Sequence, residues 1–209
     1  MKLRQIARKH RREAAKKTTL TLASGLLFSL AAGNTWADCT GGGGVYTCSG
    51  ALSGPQTILN LANPVLNVNI DSSTSGVVTA GTAIEVLNVT GAATITSAGS
   101  FSSTAGNGLH IVNFSNDLFT ITQNSGAMGS SVNAGLYFQN EGGSDINITQ
   151  GSSGTFTGSE YGIHVYNKTG DTLAGSVYIT TAGYIYGENS AGIYVWDPGT
   201  ILDGNSIII

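Results

Sequence analysis

The sequence predicts an all-β chain folded as a right-handed, single-stranded parallel β-helix of about six coils, each 25–30 residues long. Three observations carry that prediction. An apolar–x–apolar–x–Asn strand recurs six times at near-constant spacing, a second strand follows at a steady phase, and Gly, Ser and Asn fill the gaps. A fixed period in this range marks a solenoid, in which each repeat buries its apolar side only against its neighbours.

The first strand reads Leu59-Asn60-Leu61-Ala62-Asn63, Ile84-Glu85-Val86-Leu87-Asn88, Leu109-His110-Ile111-Val112-Asn113, Leu136-Tyr137-Phe138-Gln139-Asn140, Ile163-His164-Val165-Tyr166-Asn167 and Ile193-Tyr194-Val195-Trp196-Asp197. The starts lie 25, 25, 27, 27 and 30 residues apart. Apolar first and third positions with mixed second positions give the period of two that a half-buried strand requires. The second strand reads Val68-Asn69-Ile70, Ala93-Thr94-Ile95, Phe119-Thr120-Ile121, Ile146-Asn147-Ile148 and Val177-Tyr178-Ile179. A weaker third strand falls at Val77-Val78, Phe101, Phe156 and Ile185, with Met128 its least regular copy. Three short strands per turn with Gly, Asn and Ser at the corners describe a parallel β-helix, and no amphipathic helix separates the strands as a βαβ fold demands.

The fifth position, Asn63, Asn88, Asn113, Asn140, Asn167 and Asp197, is expected to form a structural ladder. An amide can donate to one rung and accept from the other, and Asn tolerates turn conformations. Asn88, Asn113, Asn147 and Asn167 also fit the N-glycosylation pattern, but such matches arise by chance in a chain rich in Asn, Ser and Thr.

The N-terminus is expected to direct export. Lys2, Arg4, Arg8, Lys9, Arg11, Arg12, Lys16 and Lys17 precede an apolar stretch from Leu20 to Ala32, and Asn34-Thr35-Trp36-Ala37 offers a cleavage site. Residues 1–37 thus read as a secretory signal peptide. The apolar run is too short to span a bilayer, and Glu13-Ala14-Ala15 after Arg11-Arg12 fits the general secretory route better than the twin-arginine one. Once residues 1–37 are removed, Lys168 is the only cation left beside eleven acids. That balance repels nucleic acid and anionic lipid, and without Arg the chain lacks the usual clamp for phosphate.

Cys39 and Cys48 flank a Gly-rich loop directly after the cleavage site. In an oxidising compartment they are expected to pair and tie a cap at residues 38–57, ahead of coils filling 58–209. A metal site there is disfavoured by the absence of a nearby His and by the spacing.

A long basic signal, an early Cys pair and Gly-, Ser-, Asn- and Thr-rich β-helical repeats resemble the start of a Gram-negative autotransporter (type V secretion) passenger domain. That resemblance implies an exported adhesin or stalk, with a host surface protein or glycan as partner and a C-terminal β-barrel translocator to carry it. No alternating barrel strands occur here, so the chain reads as a truncated passenger without that translocator. It would sit on the outer-membrane surface or outside the cell if full length, and in the periplasm if truly truncated.

Catalysis is not expected. Lyases on this fold use clustered acids and a basic residue, whereas Glu85, Asp117, Glu141, Asp145, Glu160 and Asp171 are scattered and never paired on one strand as glycoside hydrolysis needs. Gly142-Gly143-Ser144-Asp145 does not match a serine-protease nucleophile. The other readings are the N-terminal part of a β-helical carbohydrate-active enzyme, with its carboxylate pair downstream, and a nonfunctional periplasmic remnant. No catalytic residue, cofactor or metal is assigned. His110 and His164 lie two rungs apart, roughly 9–10 Å, too far for one zinc ion.

The outward positions of the first strand carry the one candidate site. His110, Tyr137, His164 and Tyr194 stand in the second position, with Tyr166 and Trp196 in the fourth. Stacked at strand spacing they make a ribbon. Aromatics favour strands in their own right and then merely cover the coil; otherwise the ribbon is a platform for sugar rings or a protein surface.

Overall fold

A computed structural model describes residues 39–167 and 175–196, and the backbone of 207–208. The signal segment, Lys168, Asp171 and Asp197 lie outside the described residues. Among the described residues the chain is all-β with no helix, and its strands stack in parallel as a β-solenoid of about five turns.

One six-stranded parallel sheet holds β3 (Gln56–Asn60), β6 (Ile84–Asn88), β9 (Leu109–Asn113), β11 (Ala134–Asn140), β13 (Tyr161–Asn167) and β16 (Ala191–Trp196). The second sheet stacks β4 (Val65–Ile70), β7 (Ala92–Ser97), β10 (Phe119–Ser130), β12 (Ile146–Gly158), β14 (Val177–Thr181) and β17 (Ile207–Ile208). The third strands of the sequence reading, β5 (Ser75–Val78), β8 (Ser100–Ser103) and β15 (Tyr184–Gly187), join this second sheet. In the middle coils the second and third strands are one: β10 and β12 run through the corner, with an irregularity between Gln123 and Ser125. Met128 pairs with Phe101 and Phe156 and is fully buried, so the least regular copy belongs to the column.

Alternation decides what each strand buries. Ile84, Val86, Leu109, Ile111, Leu136, Phe138, Ile163 and Val165 point inward from the first sheet, facing Ile95, Ile121, Ile148 and Ile179 of the second. Phe119 meets Phe138 edge-on across the interior, with centroids 4.8 Å apart. Each such side chain contributes about 1.5–3 kcal/mol on full burial. Close approach also selects glycine: a Cβ at Gly135 would lie 2.7 Å from the Met128 carbonyl oxygen. Gly108, just before β9, and Gly162, second in β13, meet backbone as closely, at 2.6 Å from the Gly135 oxygen and 2.8 Å from the Gly192 oxygen.

Two registers differ from the sequence reading, both in the first coil. β3 pairs Gln56 with Ile84 and Asn60 with Asn88, so the first copy is Gln56-Thr57-Ile58-Leu59-Asn60 and not residues 59–63. The ladder therefore begins at Asn60; Asn63 sits beside it, donating from its backbone N–H and its side-chain amide to Asn60 Oδ1 at 3.1 and 3.0 Å. Likewise Val68, not Ile70, pairs with Ile95. The true copy departs from the apolar repeat because its first position, Gln56, is polar. Gln56 is buried where the cap, not another coil, covers it, and its Oε1 accepts the Cys39 N–H at 3.3 Å. The first coil also starts at Gln56, inside the span assigned to the cap.

That cap is a hairpin of β1 (Cys39–Gly42) and β2 (Val45–Cys48), closed by a Cys39–Cys48 disulfide. Its turn uses Gly43 and Gly44 at φ of 61° and 84°, a left-handed conformation that L side chains resist. β2 pairs in parallel with β4, so the hairpin satisfies the edge that the first rung would otherwise leave open.

Candidate binding ribbon

Beneath the ribbon runs the amide ladder. Asn60, Asn88, Asn113, Asn140 and Asn167 are fully buried. Each of the first four donates from Nδ2 to the Oδ1 of the next, at 2.7, 2.9, 3.1 and 2.8 Å. Spare donor capacity goes to corner carbonyls, including Gly91, Ser115 and Ser144. The ladder pins the ends of β3, β6, β9, β11 and β13 and holds their outward side chains in register. A second buried amide column, unremarked in the sequence, lies across the coil: Gln150 donates to Gln123 Oε1 at 3.3 Å. Its signal was a polar residue two places after each Ile, as in Ser97, Gln123 and Gln150.

On the outer face the pairing register runs Thr57, Glu85, His110, Tyr137, His164, Tyr194. Thr57 thus holds the first outward place, which the shifted first copy had given to Asn60. The His110 and Tyr137 rings stack at 5.0 Å, Tyr137 and His164 lie at 4.8 Å, and His164 and Tyr194 at 5.1 Å. In the neighbouring row Tyr166 and Trp196 are 4.6 Å apart. All six ribbon residues are therefore in ring-to-ring contact within two adjacent rows. Tyr161 adds a seventh ring, 4.7 Å from His164 and stacked on Tyr194 at 5.0 Å. Tyr194 and Trp196 remain 39% and 45% exposed, so the C-terminal part of the ribbon presents apolar rings to solvent.

The electrostatics are local. Glu85 Oε1 lies 3.3 Å from His110 Nδ1, and the hydrogen bond from that imidazole holds the Glu85 carboxyl below its ordinary value against the opposing effect of burial. Burial lowers the His164 imidazole, with Glu160 pulling weakly the other way. Burial raises the Tyr137 phenol, helped by Tyr166 and Glu141. The Tyr137 ring stands between the two imidazoles, and no cluster of three His, Cys, Asp or Glu occurs among the described residues. Two acids are tied into corners: Asp145 Oδ1 accepts the Ser176 N–H at 2.8 Å, and the Ser115 hydroxyl donates to Asp117 Oδ2 at 3.4 Å.

Sequence reasoning missed a groove of about 220 Å³ beside the ribbon, lined by Asn107, Asn133, Ala134, Tyr137, Glu160, Tyr161 and His164. The polar members occupy the corner two or three residues before each first strand, outside the repeat pattern that drew attention. Compared with protein-family models, curated proteins and solved structures, the chain matches none.

Proposed function

We propose that this chain is an exported, surface-displayed β-solenoid, similar to autotransporter passengers, whose aromatic ribbon is an adhesive face for a host glycan or protein. The ribbon carries the reading. Rings in contact across four rungs, with Tyr194 and Trp196 open to solvent, make an amphipathic platform whose order costs little further entropy on binding. The basic and apolar N-terminal segment supports export, and surface display would require a β-barrel translocator. Acids that are scattered along the coils, with Asp117 and Asp145 held by turn contacts, favour binding over catalysis. The solenoid itself serves as a stalk that sets the ribbon's distance from the cell.

The test is adhesion of the purified full chain to epithelial cells and immobilised host glycoproteins. Tyr166→Ser combined with Trp196→Ser should abolish adhesion and leave the far-UV spectrum and melting temperature close to wild type. Unchanged adhesion in a folded double variant refutes the adhesive face and leaves only the stalk.

A further inference from the structure

We propose that the groove between the Tyr137 and Tyr161 rings is a subsite for a single neutral pyranose ring. The inference rests on the adhesive reading and narrows it to one ligand class and one place. The register opens the space: Tyr161 pairs with Ala134 on the rung below, so a methyl group stands where the next rung carries a phenol. Tyr137 flanks the gap, and His164, between Tyr137 and Tyr161 at 4.8 and 4.7 Å, forms its inner wall. Tyr161 is braced from the far side by Tyr194 at 5.0 Å, so its ring is already fixed before a ligand arrives. A pyranose offers an apolar C–H face, which stacks on a ring, and an edge of hydroxyls, each both donor and acceptor.

The groove meets both demands. Asn107 uses Oδ1 to accept the Ala134 N–H at 3.2 Å, which leaves its amide nitrogen as a donor. Asn133 and Glu160 are exposed, and neither side chain is engaged in a hydrogen bond among the described residues. Two amides and one carboxylate therefore surround the ring wall, the mixed donor and acceptor set that hydroxyls require. A volume of about 220 Å³, below the ~300–1,000 Å³ of drug-sized pockets, suits a subsite for one ring.

Charge selects among sugars. The chain beyond residue 37 has no Arg and only Lys168, and Glu160 adds a negative charge at the rim. A sialylated, uronic or sulfated ring would meet repulsion with no compensating cation. A neutral hexose or N-acetylhexosamine meets neither.

Saturation-transfer difference NMR on the full chain tests this, with methyl β-galactoside, methyl α-mannoside and N-acetylglucosamine as neutral probes and 3′-sialyllactose as the anionic one. At least one neutral probe should show transfer to its ring protons, and sialyllactose should show none to its sialic acid. Tyr161→Ala should weaken the neutral probe about three- to tenfold. Asn133→Ala, at an exposed side chain that leaves the fold intact, should weaken it in the same direction. No transfer to any neutral probe, transfer that both variants leave unchanged, or preference for the sialylated probe each overturns the subsite. If neutral sugars give no signal while Tyr166→Ser with Trp196→Ser still abolishes cell adhesion, the subsite is wrong and the adhesive ribbon stands.

Discussion

Replacing Asn113 with Ala probes the interaction that holds the ribbon in register. Asn113 lies mid-stack, so both neighbours lose a partner. Its Oδ1 accepts from Asn88 at 2.9 Å, and its Nδ2 faces Ser115 O at 2.9 Å, Asn140 Oδ1 at 3.1 Å and Ser144 Oγ at 2.9 Å. The damage is uneven. Asn88 Nδ2 keeps Gly91 O, and Asn140 Oδ1 keeps the Ser144 hydroxyl, but Ser115 O loses its amide donor at a fully buried site. One orphaned buried carbonyl at about 1–3 kcal/mol, with the net loss of the other bonds, sets the effect near 2–4 kcal/mol. For a chain of this size that lowers the melting temperature by roughly 5–15 °C. Thermal melts by far-UV circular dichroism, with urea titration as a second probe, measure it. Asn60→Ala should behave similarly, because Asn60 donates to Asn88, Asn63 O and Thr90 O, whereas Asn63→Ala should cost less than about 1 kcal/mol. An Asn113→Ala effect under about 0.5 kcal/mol, or an Asn63→Ala effect as large as that of Asn60→Ala, refutes the ladder as described.

Two further outcomes follow from the cap and the ribbon. Reduction of the Cys39–Cys48 disulfide, which spans a sequence separation of 9, should destabilise the chain by about 2.5–3 kcal/mol in the loop-entropy account. Melts with and without reductant measure it, and no shift would mean that pairing of β2 on β4 alone secures the cap. Burial keeps His164 below its ordinary value of 6.5, so the folded state binds fewer protons there than the unfolded chain. Stability from this group is full above that value and declines as pH falls below it. His164→Gln should flatten the melting-temperature slope between about pH 7 and 5. A slope identical to wild type would show that His164 does not govern it.

The repeat was legible because a solenoid writes its packing into every rung. Alternating Ile, Leu, Val and Phe with a terminal Asn can bury only one face, and a period of 25–30 residues can stack only on itself. Where the local environment departed from that uniformity, sequence reasoning slipped. Gln56 faces the hairpin and not a coil, so the first copy lacks the apolar first residue of the other five and the register shifted by three residues. Gln123 and Gln150 drew no attention because a buried amide pair looks, in one dimension, like ordinary polar surface. The groove escaped for a related reason: Asn107, Asn133 and Glu160 sit in corners whose lengths drift between coils.

The sequence by itself determined the solenoid, the outward row of rings and the poverty of cations, because each follows from residue type at a periodic position. Tertiary structure alone decided the register of the first coil, the fusion of second and third strands in β10 and β12, and the depth of the groove. Those depend on how neighbouring rungs close on one another: a cap in place of a coil, a corner straightened, an Ala pairing with a Tyr. Such contacts join residues about 27 positions apart, and no local pattern encodes which of them will touch.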